Sequence, residues 1–90
     1  MLYPFLTLED GTDVVYSNVF ARNGENCVLV KFERWNDERD DFDSMECVLP
    51  NGKMNKIIGF TEEETKYYYE KMIKLQDSII KWSMEDSIRV

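Results

Sequence analysis

The chain has 90 residues, of which 43% are hydrophobic and 13% aromatic, a composition that excludes intrinsic disorder. Eleven basic residues against eighteen acidic ones leave a net charge of −7, which argues against binding nucleic-acid phosphates or an anionic membrane surface. There is no histidine, and the longest apolar run, Cys27-Val28-Leu29-Val30, is far too short for a transmembrane helix or the apolar part of a signal peptide.

Surface scaling hides close to two thirds of a chain this long, enough for one core. A single domain over 1–90 is therefore expected, with a β-meander over 1–60 and a helix over 61–85. The first strand-like segment, Tyr3 to Leu8, leads into Asp10-Gly11, which reads as a type I′ hairpin turn. The return segment from Asp13 to Ala21 reads as one long strand or as two broken near Ser17-Asn18. Asn23-Gly24 marks a second turn of the I′ kind.

Alternation is clearest from Cys27 to Trp35, where Val28, Val30 and Phe32 share one face and Lys31 and Glu33 the other. Next, Asn36 to Asp43 holds five acids and one base and reads as a solvated, mobile loop. A fourth strand, Ser44 to Leu49, closes on the turn triplet Pro50-Asn51-Gly52. With Trp35 opposite Ser44, Phe32 rather than Cys27 would face Cys47. Both cysteines are thus expected as free, buried thiols, as suits a cytoplasmic protein. Lys53 to Phe60 is a connection or a short fifth strand in which Ile57 and Ile58 need cover.

At Thr61 the period changes. Thr61-Glu62-Glu63-Glu64 is a capping box, with two further carboxylates against the positive helix end. Tyr68, Met72, Leu75, Ile79 and Trp82 form an apolar stripe that Tyr69, Ile73 and Ile80 widen, and Lys66, Glu70, Lys74 and Lys81 line the other side. The fold class is α+β: an antiparallel meander of about four strands packed by one long C-terminal helix.

Catalytic signatures are missing. Without histidine the commonest general base is gone, and no nucleophile elbow, phosphate loop, dinucleotide fingerprint or zinc-ligand spacing occurs. An EF-hand count from Asp37 puts Phe42 at the sixth position and Val48 at the twelfth, where Gly and Glu are required. No catalytic, cofactor or metal residues are therefore assigned. The remaining candidates are aromatics and acids for a partner contact: Trp35, Asp37, Asp40, Asp41, Phe42 and Tyr67. They suggest a small acidic interaction module, binding a protein partner or itself, without catalysis. The alternative is an acidic inhibitor that imitates nucleic acid and blocks a DNA-processing or defence enzyme.

Three stretches, Tyr3-Pro4-Phe5-Leu6-Thr7-Leu8-Glu9-Asp10-Gly11-Thr12, Cys47-Val48-Leu49-Pro50 and Gly59-Phe60-Thr61, followed by the aromatic helix, resemble a family of small uncharacterised proteins of Gram-positive gut anaerobes. The resemblance implies a stand-alone bacterial domain, often near mobile genetic elements. It brings no activity, and its motifs are turns, a cap and core residues.

Overall fold

The computed structural model describes residues 2–50 and 52–88. Six strands precede one helix: β1 (Leu2–Thr7), β2 (Asp13–Ser17), β3 (Phe20–Arg22), β4 (Glu25–Asn36), β5 (Asp41–Leu49), β6 (Asn55–Ile58) and α1 (Glu62–Ile88). The sheet is antiparallel with order β1-β2-β4-β5-β6, and β3 pairs with β4 beyond the end of β2. The class is the expected α+β, with six strands where about four were expected.

The extra strands have local causes. Tyr16 lies opposite Val30, but Phe20 lies opposite Cys27, so the Ser17–Val19 segment carries one residue more than β4 can match. Ser17 Oγ fills the gap by accepting from the Leu29 N–H at 2.9 Å, and the long return strand splits in two. At the other edge, Asn55–Ile58 pairs with β5 irregularly, around Lys56 at φ 51°. Ile57 and Ile58 are not covered as expected: they stay 44% and 50% exposed on β6, an edge strand of the sheet.

The turns also divide. Asn23 and Gly24 both have positive φ, as a type I′ turn requires. The Asp10-Gly11 turn differs from the I′ reading, since only Gly11 has positive φ, at 88°. Gly11 N–H donates to the Leu8 carbonyl and Leu8 N–H to the Thr12 carbonyl, a three-residue loop ending in a glycine bulge. Asp10 accepts from the Thr12 N–H at 2.9 Å through Oδ1, an Asx bond that closes the loop around the glycine. Of the Pro50-Asn51-Gly52 turn, Asn51 lies outside the described residues; the Leu49–Pro50 peptide is cis.

α1 starts as its capping box dictates. Glu64 N–H donates to Thr61 Oγ1 at 3.1 Å, and Thr61 N–H donates to Glu64 Oε1 at 3.0 Å. At 1.5 Å per residue its 27 residues span about 40 Å, and the molecule measures 40 × 23 × 20 Å, so the helix sets the long axis. It packs on the face formed by Val14, Tyr16, Val28, Val30, Phe32, Met45, Cys47 and Leu49, contributing Tyr68, Met72 and Ile79. Trp82, expected in that stripe, is 46% exposed and meets Phe5 edge to face, with ring centroids 5.0 Å apart. Its place at the sheet is taken by the fully buried Ser83, whose hydroxyl donates to the Ser17 carbonyl at 2.6 Å. A large ring would not fit where the helix backbone comes this close to the interrupted strand.

Both cysteines are free and buried. The β4–β5 register, however, is two residues from the one expected. Trp35 faces Phe42, Glu33 faces Ser44, and Cys47 faces Val30 rather than Phe32. A shift of two preserves the faces, so Cys47 stays in the core, while Cys27 lies outside this pairing, opposite Phe20 of β3.

Candidate interaction surface at the end of the β4–β5 hairpin

The register follows from the turn. The expected eight-residue loop is four residues, 37–40, because pairing continues to Asn36 opposite Asp41. Asn36 Oδ1 accepts from the Glu38 and Arg39 N–H groups at 3.0 and 3.3 Å, and Asp40 takes the left-handed conformation at φ 53°. Asn and Asp are the residue types that make such turns without a glycine. Acidic charge at 36–43 therefore lies mainly on an ordered turn and the start of β5.

Asp43 departs furthest from the solvated-loop expectation. It is 2% exposed and faces α1, opposite Arg34. Arg34 Nε donates to Asp43 Oδ2 at 2.9 Å, and Arg39 Nη1 donates to Asp43 Oδ1 at 2.6 Å. Asn36 Nδ2 adds a longer bond of 3.2 Å. Arg34 further grips Glu64 through both terminal nitrogens and donates to the Gly59 carbonyl at 3.1 Å. Its guanidinium lies 4.2 Å from the Phe60 ring centroid. One arginine thus ties β4 to β5, to the loop before α1 and to the capping box. The loop can pass this close only with glycine at 59, where φ is +82° and a Cβ would stand 1.9 Å from Asp43 Oδ1.

The charges respond accordingly. Hydrogen bonding from Arg34, with help from the Thr61 N–H, lowers the Glu64 carboxyl to about 2. Burial works against ionisation of Asp43, yet Arg34, Asn36 and Arg39 together hold its carboxyl below the usual value. Arg34 is held protonated most strongly by Glu64. Burial alone pushes the Cys47 thiol up to about 11.

The neighbours of this pair have the opposite fate. Trp35 and Phe42, directly opposed in register, point away from α1 and are 50% and 46% exposed. Their rings meet edge to face with centroids 5.1 Å apart, and Trp35 Nε1 donates to Asp37 Oδ1 at 2.7 Å. Phe42 also borders a shallow hollow of about 330 Å³ with Pro4, Val15 and Glu33, and Ile58 lies across β5 opposite Ser44 on the same uncovered face. Lower in the hairpin the rule is ordinary: Val30, Phe32, Met45 and Cys47 face inward, while Lys31, Glu33, Ser44 and Glu46 face outward. At its end the pattern inverts, with an ion pair inside and an aromatic pair outside.

Of the six contact candidates, Trp35, Asp37, Asp40, Asp41 and Phe42 come together here. Tyr67 does not. It stands on α1, 54% exposed, its ring beside Tyr68 and 4.9 Å from Lys71 Nζ. Ile58 was missed, because period-2 alternation is unreadable over four residues. Antiparallel order also gathers the 37–40 turn, the β1–β2 turn and the start of α1 at one end of the molecule. Glu9, Asp10, Asp37, Glu38, Asp40, Asp41, Glu62 and Glu63 are all exposed there.

Among the described residues, no group of three or more His, Cys, Asp or Glu side chains could hold a metal ion. None of their helices is long and apolar enough to cross a membrane. No family model matches the chain, and no curated protein or solved structure is similar to it.

Proposed function

We propose that this chain is a non-catalytic, cytoplasmic interaction module that binds a basic protein surface through the outward end of its β4–β5 hairpin. The observation that carries this reading is the inverted pattern. Trp35 and Phe42 are kept out of the core on the face with no helix, while the positions beside them bury Asp43 against a partly buried Arg34. Folding alone would favour the reverse, and sequences break local rules mainly where function requires it. Tryptophan and other aromatics dominate binding energy when a partner desolvates them. The acids of the adjoining turn would steer a cationic partner toward them.

The test is affinity capture from a nuclease-treated lysate of the source cells, comparing the native chain with a Trp35→Ala/Phe42→Ala double variant. A protein retained by the first and lost by the second, with both baits cooperatively folded at the capture temperature, is the expected result. Identical captured sets would overturn the reading.

A second reading, mimicry of nucleic acid by an inhibitor, draws on the eight exposed carboxylates at one end. The mobile-element setting implied by the family resemblance agrees with it. In that case duplex DNA would compete the captured protein away. Changing Asp37, Asp40 and Asp41 to Asn would then matter more than removing the two rings.

A further inference from the structure

On the helix side of β6, away from the hairpin's aromatic pair, lies an apolar groove of about 580 Å³. Met54, Ile57, Phe60 and Tyr69 form its walls, and Lys53 and Lys66 stand among its lining residues with Glu62 as the one acid. That volume falls within the range of ordinary ligand sites, roughly 300–1,000 Å³. Local charge here runs against the chain as a whole: two lysines to one acid, in a molecule of net charge −7. Neither Lys53 nor Lys66 joins an ion pair among the described residues, whereas neighbouring Lys56 is engaged with Glu46 at 3.1 Å. The groove runs beside an edge strand that pairs only with β5 and leaves Ile57 44% exposed.

We infer that this groove receives an extended segment of a partner protein bearing apolar side chains and carboxylates. The walls take the apolar groups, and Lys53 and Lys66 pair with the acids. An extended backbone can lie along β6, where alternate side chains enter the groove. Charge complementarity selects this occupant over a basic peptide, which the two lysines would repel. The inference stands apart from the hairpin reading, since Trp35, Asp37, Asp40, Asp41 and Phe42 are not among the groove's lining residues.

The experiment is selection of a displayed random-peptide library on the intact protein, followed by fluorescence anisotropy on the enriched peptides. Expected are peptides mixing apolar residues with Asp or Glu, whose affinity falls by about tenfold or more in Ile57→Asp and in Lys66→Glu. Both sites are exposed, so melting curves close to the native one should accompany the loss. Trp35→Ala/Phe42→Ala should bind the same peptides unchanged, which separates this test from that of the hairpin. Three results would overturn the inference: no enrichment over an Ile57→Asp counter-selection, enrichment of basic peptides, or equal affinity in the groove variants. Concentration-dependent self-association in sedimentation, abolished by Ile57→Asp, would assign the groove to a second copy and overturn it as well.

Discussion

Two pairs of residues, one step apart on the same two strands, behave in opposite ways. Arg34 and Asp43 point toward α1 and are enclosed; Trp35 and Phe42 point away and are half exposed. Both pairs share a turn, a register and a hairpin, and strand alternation sends them to opposite faces of the sheet. What separates them is what lies above each face. Over the first stand the loop before α1 and Glu64, which offer hydrogen-bond partners; over the second no helix of the described residues packs. The lesson is that a charged pair is buried here because a capping box supplies its partner. The aromatic pair is left out because alternation puts it on the face that α1 does not cover.

That comparison can be broken in graded ways. A core position remote from the hairpin sets the scale: Ile79→Ala, at 1% exposure, should cost roughly 2–5 kcal/mol in denaturant unfolding. An unchanged midpoint would remove α1 from the core. Next is Asp43→Ala, which strands Arg34 without its enclosed partner. Because Arg34 is still 23% exposed, a loss of about 2–4 kcal/mol is expected, somewhat under that of a fully buried pair. Replacing both, as Arg34→Leu with Asp43→Leu, should recover much of that loss. If the double variant is no better than the single one, the pair does more than satisfy its own burial.

Acid sharpens the same contrast. Glu64 has a folded value of about 2, below its ordinary 4.5, so its contribution is fully present above 4.5 and disappears as pH falls toward 2. Asp43 and Asp10, also held low, act in the same direction. Melting temperature should therefore decline as pH drops through that interval, and Glu64→Gln should flatten part of the decline. A Glu64→Gln curve parallel to the native one would mean that the Arg34 contact contributes nothing in solution.

On the outward side the effects should be small. Trp35→Ala with Phe42→Ala forfeits one edge-to-face contact, the exposed Trp35–Asp37 hydrogen bond and two half-covered rings, so chemical denaturation should register less than the roughly 3–5 kcal/mol of one fully buried aromatic. A larger loss would make the aromatic pair part of the fold and weaken its assignment to a partner. Smallest of all, Asp40→Asn keeps a residue type that tolerates positive φ and removes one exposed charge from the turn. Its stability should stay within about 0.5 kcal/mol of native.

Local chemistry was legible where a few neighbouring residues decide the outcome. Thr61 with Glu64, the Asn23-Gly24 turn and the face shared by Val28, Val30 and Phe32 each depend on contacts close in sequence or on strict alternation. Composition likewise indicated two layers around one core, because a helix stripe and a sheet face of matching width have each other to cover. Tertiary structure decided what depends on distant partners. Asp43 could not be told from the acids around it, since its burial rests on Arg34, Arg39 and a loop sixteen or more residues away that only glycine at 59 lets through. The same holds for Trp82, displaced by Ser83 where the helix meets Ser17, and for Ile57 and Ile58, left open because β6 has no outer neighbour. Side-chain type fixes what a residue can satisfy; only the assembled layers fix what it is offered.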